Sequence, residues 1–355
     1  MRVLPLLALT ALVAACASTS DNADDGAASD DPALTSRAVT GLTPIAPDTR
    51  VLTGSVDALL GTQLAAGVRV TAIRTLALDG KKARFVVDDD SFTTAVVAED
   101  VLAAASRAPT ATDAIADAPY PKSLAALGKS LDALDAVDAD AEVPAGATEA
   151  FALTIDMCQS SKAFEKRLFD WAASLSDQVH HAIPVGIAMS GGWAKAHAGE
   201  FDQILDYQRR GKIAITWINH SSTHPLHCLN ASCSSAQFLT APGVDFTEEV
   251  VGLERALLGR GLLPSPIFRF PGLVHDDQRM KQLAGLSLMP IDADAWIAKG
   301  QPIKSHAVVL VHGNGNEPEG ITGFLKQAAT RSAALASGKS ALVAPILIAP
   351  SPPKN

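Results

Sequence analysis

An apolar run leads into two histidines in the stretch Ile213-Ala214-Ile215-Thr216-Trp217-Ile218-Asn219-His220-Ser221-Ser222-Thr223-His224-Pro225. The run Ile213–Ile218 predicts a buried strand. His220 and His224 would lie on one face if their segment turns helical, at a spacing that a divalent metal can bridge. Chance alone can produce such a pair, so its weight depends on the residues that follow the other predicted strands.

Strand candidates alternate with helical patterns from residue 150 onward. The other predicted strands are Phe151–Ile155, Val185–Met189, Ile267–Phe270, Leu286–Ile291, Ala307–Val311 and Leu342–Ile348. The helical patterns include Phe164–Leu175, Ala194–Arg209 and Glu248–Leu258. Pro345 makes the last strand an edge strand or breaks it, because proline donates no ladder hydrogen bond. Alternation over about 200 residues predicts an α/β fold, either a parallel sheet or a slightly incomplete (β/α) barrel of about seven strands.

Polar residues stand where these strands end. They are Asp156 after the first strand, Arg269 at the end of the fourth with Pro271 beyond it, Asp292 and Asp294 after the fifth, and His312 after the sixth. Active sites of parallel barrels form at the carboxyl ends of the strands. We therefore expect these side chains to converge with His220 and His224 at one face of the barrel.

In their order along the chain, these segments resemble the five motifs of NodB-type polysaccharide deacetylases, the family-four carbohydrate esterases. The segments are Leu153–Cys158 for T-F-D-D-G, His220–Pro225 for H-S/T-x-x-H, Arg269–Gly272 for R-x-P-F/Y, Asp292–Trp296 for D-x-x-D-W and Leu310–His312 for L-x-H. Gly272 replaces the aromatic residue of the third motif, and the second Asp of the fourth is shifted or missing. The resemblance implies a distorted (β/α) barrel over residues 150–349.

The resemblance also implies an activity and a role for each residue. The activity is metal-assisted hydrolytic deacetylation of an N- or O-acetylated envelope or extracellular polysaccharide, with zinc as the first expectation for the divalent metal. The implied roles are metal ligands for His220 and His224, base for Asp156, acid for His312, a charge partner of Asp156 for Arg269, orientation of neighbours for Asp292 or Asp294, and substrate contact for Trp296 and Pro271.

One departure from the motifs concerns the metal. Met157 stands where the family has a second Asp as third metal ligand, and a thioether is a poor ligand for zinc. Three outcomes stay open: the Cys158 thiolate supplies the ligand, two histidines and waters hold the metal, or the site is metal-free and inactive. Cys158 could also be a buried small hydrophobe. The alternative function is therefore an inactive barrel that binds glycan or scaffolds an envelope complex.

A serine hydrolase is a further hypothesis. The segment Ala188–Gly192 around Ser190 resembles a nucleophile elbow, and Val311–Gly313 resembles an oxyanion loop. These two segments occur in the reverse of the expected order, which argues against this hypothesis.

The N-terminus predicts export. Residues 1–15 have the charge, apolar core and small residues of a secretory signal, and Leu12–Cys16 resembles the lipobox of bacterial lipoproteins. Cys16 would then carry lipid, and residues 16–39 would form a flexible tether, because they are small and polar. We expect a lipid-anchored protein of the bacterial cell envelope, on the periplasmic face or the outer-membrane surface of a Gram-negative cell.

Two segments separate the tether from the barrel. Residues 40–105 predict a small β-rich module, with the general pattern of an SH3-like barrel, and residues 106–149 a helical linker. Within the module, Asp88-Asp89-Asp90 predicts a solvated loop rather than a calcium site, because no ligand spacing surrounds it.

Charge and cysteine content limit the partners. The chain has 29 Lys and Arg against 38 Asp and Glu, a net charge of −9, and removal of Arg2 with the signal makes the balance 28 against 38, or −10. The sequence contains no cluster of Lys and Arg that would indicate nucleic-acid binding. The expected partners are therefore the acetylated polysaccharide or oligosaccharide and the membrane. An exported location permits a disulfide between Cys228 and Cys233, although two reduced thiols remain an alternative.

Overall fold

The structure is a computed structural model of the 355-residue chain, and it describes residues 36–107, 118–127, 144–231, 233 and 235–345. The predicted signal peptide, Cys16 and most of the tether lie outside the described residues, as do parts of the helical linker and the end of the strand Leu342–Ile348. Among the described residues, none of the helices combines the length and the apolar character needed to cross a membrane.

The β-rich module is an antiparallel sheet with the strand order β4-β3-β2-β1-β5. Its elements are β1 (Val39–Val51), β2 (Arg69–Leu78), β3 (Lys81–Asp88), β4 (Thr94–Ala98), α1 (Glu99–Ala104) and β5 (Ser106–Arg107). Asp79 and Gly80 join β2 to β3 with φ values of 50° and 78°, the conformation that a tight hairpin turn requires. The predicted module is confirmed, and β1 is a strand that the sequence patterns did not identify.

The second sheet is parallel, with the order β10-β9-β8-β7-β6-β12-β11. The remaining elements are α2 (Pro119–Leu127), β6 (Glu149–Met157), α3 (Lys166–Val179), β7 (Ile183–Met189), α4 (Gly191–Ala196), α5 (Ala198–Arg209), β8 (Ile213–Asn219), α6 (Phe246–Gly259), β9 (Pro264–Phe268), α7 (Asp277–Gly285), β10 (Met289–Pro290), β11 (Ala295–Trp296), β12 (Val308–His312), α8 (Pro318–Thr330), α9 (Ser332–Ala336) and β13 (Ser340–Leu342). β13 pairs with the beginning of β6. The predicted α/β barrel of about seven strands is confirmed, and it is open between β10 and β11.

Strand ends differ from the sequence patterns around β10. The predicted strand Leu286–Ile291 is reduced to β10, because Leu286 is the C-cap of α7 and Ser287 takes a positive φ of 60° before the chain can extend. β11 lies inside the motif Asp292–Trp296, which no strand pattern indicated.

The side chains of β6 alternate between two buried environments, which shows the face of the sheet on which each one lies. Phe151, Leu153, Ile155 and Met157 pack in one apolar cluster with α3 and α8, whereas Ala150 and Ala152 belong to another. Because successive side chains of a strand face opposite sides, the residues that continue the even-numbered series share the inner face of the barrel. This parity places Asp156 at the carboxyl end of the sheet, on the inner face.

A buried ion pair joins the module to the barrel. The Arg74 guanidinium on β2 donates two hydrogen bonds of 2.8 Å to the Glu254 carboxylate on α6, and a third of 2.8 Å to the Leu286 carbonyl. Neither charged side chain is more than 1% exposed. Apolar residues of both domains also share one core cluster, so the module and the barrel pack as one body.

Asp89 contradicts the predicted solvated loop. Its side chain is buried, and one carboxylate oxygen accepts a 2.6 Å hydrogen bond from the Thr71 hydroxyl, while the other has no hydrogen-bond partner within the part of the chain that the structure describes. Burial raises the pKa of Asp89 to about 6, against the opposing effect of the Thr71 hydrogen bond. The prediction failed because the loop folds back against β2, which the acidic run itself does not reveal.

Candidate active site

Four parallel strands bring their polar residues together at one end of the barrel. Asp156 and His312 are register partners at the ends of β6 and β12, His220 directly follows β8, and Arg269 directly follows β9. Asp156 Oδ1 lies 2.8 Å from Arg269 Nη1, and Asp156 Oδ2 lies 3.8 Å from His220 Nε2. With His224, each of these residues is at most 3% exposed, so they form one buried cluster.

Arg269 holds the cluster together. Besides Asp156, its guanidinium donates hydrogen bonds of 2.7 Å to the Thr154 hydroxyl and 2.8 Å to the Asp292 carbonyl. A buried arginine is tolerable when it is paired and its donors are satisfied, as they are here. The rigid fork of the guanidinium therefore fixes the Asp156 carboxylate relative to the neighbouring strands.

The two carboxylates of the fourth motif make main-chain contacts. The exposed Asp292 accepts a hydrogen bond from the backbone of Ala293, and its own carbonyl accepts from Arg269. Asp294 accepts a 2.7 Å hydrogen bond from the backbone N–H of Val308 at the start of β12. Both residues thus shape the segment around β11, and a direct catalytic role for either stays a prediction.

The two histidines lie in a loop and not in a helix, so a different geometry brings them together. Ser221 and His224 have positive φ values of 70° and 49°, which turn the chain so that the His220 and His224 rings lie 4.9 Å apart. The Asn219 side chain accepts from the Ser221 N–H, and the Ser221 hydroxyl accepts from the His224 N–H, both at 3.0 Å. Left-handed conformations of non-glycine residues cost energy and cluster at functional sites.

α6 and α4 support this loop from outside. The Glu249 carboxylate on α6 accepts hydrogen bonds of 2.8 and 2.6 Å from the backbone N–H and the hydroxyl of Thr223. Gly191 at the start of α4 donates to the Ser221 carbonyl at 3.1 Å, and a Cβ at position 191 would stand 2.6 Å from the Ser222 carbonyl. Only glycine permits this approach of the two backbones.

Ser190 has a structural role next to this glycine. Its hydroxyl is buried, donates a 2.7 Å hydrogen bond to the Met157 carbonyl, and caps the N-terminus of α4. Such an N-cap stabilises the first helical turn. This use of the hydroxyl, together with the reversed motif order, argues against the serine hydrolase hypothesis.

Cys158, His220 and His224 form a group that could hold a metal ion, since their candidate ligand atoms all lie within 4.8 Å of one another. His220 Nδ1 lies 2.8 Å from the Arg269 carbonyl, which can only accept a hydrogen bond, so the proton is on Nδ1 and the Nε2 lone pair faces the group. Both ring nitrogens of His224 are buried without a hydrogen-bond partner among the described residues. Buried polar atoms are normally satisfied, so these residues fit a metal.

His312 is oriented by a residue that the sequence patterns did not identify. Its Nδ1 lies 2.7 Å from Glu317 Oε2, and the same oxygen accepts a 2.8 Å hydrogen bond from the indole N–H of Trp296. The Trp296 and His312 rings lie 5.7 Å apart. The signal for Glu317 was weak, because it stands five residues beyond the fifth motif, just before Pro318 begins α8.

An aromatic ring from elsewhere occupies the place beside Gly272. A Cβ at position 272 would overlap the ring of Phe238, and Gly272 has a positive φ of 63°. Phe238 also contacts the edge of the His224 ring at a centroid distance of 5.7 Å. Phe238 therefore fills the space beside Gly272, and the neighbouring Pro271 is buried.

A disulfide closes the loop that leads to Phe238. Cys228 and Cys233 are bonded with their Cα atoms 4.7 Å apart, and Cys228 pairs with Ala236 in an isolated antiparallel bridge. Ala236 and Phe238 pack against Cys158 in a small apolar cluster. The loop thus covers the histidine side of the site.

Comparison with known proteins finds several solved structures that are similar to part of this chain. No family model matches the sequence. A family 4 carbohydrate esterase from Streptomyces lividans, solved with acetate, is 15% identical with a TM-score of 0.38, over 56% of this chain and 93% of that chain. The chitin deacetylase of the fungal pathogen Colletotrichum lindemuthianum is 20% identical with a TM-score of 0.39, over 56% and 87%.

A third solved structure is a mutant, with restored enzymatic activity, of a CE4 family pseudoenzyme from Bacillus anthracis. It is 15% identical to this chain with a TM-score of 0.38, over 56% of this chain and 67% of that chain. Each of these similarities covers 56% of this chain.

Proposed function

We propose that this chain is a hydrolase that removes acetyl groups from an N- or O-acetylated polysaccharide of the cell envelope or the extracellular space, with the help of a divalent metal. The observation that carries the proposal is the meeting of Asp156, Arg269, His220, His224 and His312 in one buried cluster at the strand ends. Acetyl hydrolysis needs a base for water, a stabiliser of charge and an acid for the leaving group, and this cluster offers a candidate for each.

Asp156 is the candidate base. Its Oδ1 is held by Arg269, which leaves Oδ2, on the side of His220 Nε2, to take the proton of the attacking water. The water oxygen forms a bond to the acetyl carbon while the bond from that carbon to the amine nitrogen or the sugar oxygen breaks. The products are acetate and a free amine or hydroxyl group.

His312 is the candidate acid. Because the Glu317 carboxylate accepts at Nδ1, the ring is held with Nε2 as the second proton site. In the doubly protonated ring, the Nε2–H is the proton that goes to the leaving nitrogen or oxygen. Trp296, which donates to the same Glu317 oxygen, positions that carboxylate.

His220 and His224 would hold the metal. When bound, a divalent ion such as zinc supplies a Lewis acid for the acetyl carbonyl and makes a water easier to deprotonate. The neighbouring backbone supports this assignment, because the hydrogen bond from His220 Nδ1 to the Arg269 carbonyl is the outer contact that metal-binding histidines commonly make.

The test is acetate release by the purified, zinc-loaded protein from acetylated chito-oligosaccharides and acetylated xylan. We expect Asp156→Asn and His312→Gln each to lower kcat by about 100-fold or more, since positioned acids and bases contribute roughly 10²–10⁴-fold. His181→Gln is the matched control, because His181 is exposed and lies just before β7, at the opposite end of the strands. Absence of acetate release from every substrate by the loaded wild-type protein would exclude the proposal.

A second candidate is an inactive barrel that binds glycan or scaffolds an envelope complex. The enclosure of the site favours it, since none of the five cluster residues is more than 3% exposed and the disulfide loop covers the histidines. Isothermal titration calorimetry with the same oligosaccharides distinguishes the candidates: binding without acetate release supports this one.

We also propose that lipid on Cys16 anchors the protein in the bacterial envelope. The support is the lipobox-like sequence Leu12–Cys16, followed by a small and polar stretch. Labelled palmitate should enter the wild-type chain, whereas Cys16→Ala should stay unlabelled. Equal labelling of both chains would contradict the anchor.

A further inference from the structure

The question that the motifs leave open is what completes the candidate metal site beyond its two histidines. Strand parity answers it on the protein side. Thr154 and Asp156 both contact Arg269 on the inner face of β6, and Cys158, directly after the end of β6, continues this series towards His220. Met157 faces outward: a Cβ added to Gly313 would stand 2.7 Å from its sulfur, and its side chain belongs to the outer apolar cluster.

The distances match a thiolate and an imidazole on one ion. Cys158 Sγ lies 3.5 Å from His220 Nε2. Zinc lies about 2.3 Å from sulfur and about 2.0–2.1 Å from nitrogen in a tetrahedral site, which separates two such ligands by about 3.5 Å. The same separation suits a weak thiol–imidazole hydrogen bond, so distance alone does not distinguish the two arrangements.

His224 provides the second, independent observation. It is 3% exposed, both of its ring nitrogens are without a hydrogen-bond partner among the described residues, and its ligand atom lies within 4.8 Å of the other two. A thiol–imidazole pair between Cys158 and His220 leaves these nitrogens unsatisfied. An ion bound by all three residues gives His224 a partner and removes that cost.

We propose that Cys158 is the third protein ligand and that the site is therefore selective for thiophilic divalent metals, zinc above all, over magnesium and manganese. Thiolate ligands favour zinc, whereas carboxylate and water ligands suit magnesium and manganese. On binding, the Cys158 thiol loses its proton to solvent and its sulfur donates an electron pair to the ion. This inference rests on the proposed metal-assisted function, and its test below does not use that activity.

The test is titration of the full, metal-free protein with cobalt(II), followed by absorption spectroscopy. We expect a near-ultraviolet sulfur-to-cobalt charge-transfer band in the wild-type protein and its loss in Cys158→Ser. Met157→Leu is the matched control and should keep the band, because the Met157 side chain packs in the outer apolar cluster, away from the histidines. Competition with zinc should show that Cys158→Ser binds zinc at least about 10–100-fold more weakly than the wild-type protein. Loss of a residue that only contacts a metal ligand already costs this much, so loss of a ligand should cost at least as much.

The outcomes separate this inference from the proposed function. A band in the wild-type protein without acetate release supports the cysteine ligand and removes the deacetylase. Acetate release without a band supports the deacetylase and overturns the cysteine ligand. A band that persists in Cys158→Ser, or a wild-type protein that binds neither cobalt nor zinc, also overturns the inference. Cys158→Asp should bind cobalt without the band, because a carboxylate replaces the thiolate as ligand. Such binding would show that Cys158→Ser loses the metal because it lacks a ligand and not because it misfolds.

Discussion

Replacement of Arg74 by methionine should destabilise both the β-rich module and the barrel. Arg74 and Glu254 form a bidentate ion pair between β2 and α6, with both side chains at most 1% exposed. The substitution keeps most of the side-chain length but removes the guanidinium, so the Glu254 carboxylate stays buried without its cation. Loss of one partner of a buried pair typically costs about 3–5 kcal/mol.

The magnitude is large beside the usual total. Unfolding free energies of domains are about 5–15 kcal/mol, so the variant should lose a substantial fraction of its stability. Urea unfolding measures this loss, and tryptophan fluorescence reports it from the barrel, because all four tryptophans follow residue 150. A shift of the tryptophan transition by a substitution in the module also tests whether the two domains unfold together.

Two comparisons make this prediction refutable. Arg84→Met removes a half-exposed pair with Glu99 inside the module, and exposed pairs contribute only about 0–1 kcal/mol. The double variant Arg74→Met/Glu254→Leu should recover most of the stability, because it leaves no unpaired buried charge. An Arg74→Met transition no lower in urea than that of Arg84→Met would refute the reasoning.

Three further predictions concern the site and the module. Glu317→Gln should lower kcat by about 10–100-fold at nearly constant KM in acetate-release assays, because it removes a residue that orients a functional histidine. Glu317→Asp should retain more activity. An unchanged kcat in Glu317→Gln would contradict the orientation of His312 by Glu317. Asp89 has a folded-state pKa of about 6 against 3.8 for the ordinary group, so the wild-type protein should lose stability as pH rises from about 4 to above 6, by at most about 1–3 kcal/mol. Asp89→Asn should flatten that part of the pH profile of urea unfolding, and an unchanged slope would exclude the effect. Gly272→Ala should lower the melting temperature, because residue 272 has a positive φ and the new Cβ would clash with the Phe238 ring, at a cost of roughly 1–3 kcal/mol. Adding Phe238→Leu should relieve part of that cost. If the two substitutions have independent, additive effects, that result argues against the contact.

The main features of the barrel followed from local patterns. The apolar runs around Ile155, Ile218 and Val311 became β6, β8 and β12, because strands buried on both faces require such runs whatever the rest of the chain does. The polar residues after them were predicted to converge, because the carboxyl ends of parallel strands share one edge. Asp156, His220, Arg269 and His312 do converge.

The prediction was weaker where the chain turns. The spacing of the two histidines fits one face of a helix, but it does not by itself fix their conformation, and positive φ values at Ser221 and His224 bring them together in a loop. A loop of this kind depends on partners from other elements, here the Glu249 carboxylate and the Gly191 backbone, which no window around the histidines contains. Likewise, the run at Asp89 looked solvated until the fold placed Thr71 beside it.

The sequence alone determined which polar residues follow the ends of the strands, because apolar runs of this length mark buried strands. Only the tertiary structure decided which distant side chain completes each contact: Glu317 at His312, Phe238 in the space beside Gly272, and Cys158 beside His220 and His224. The physical reason is that periodicity is a property of local backbone geometry. A contact between residues far apart in the chain depends on the path of every element between them.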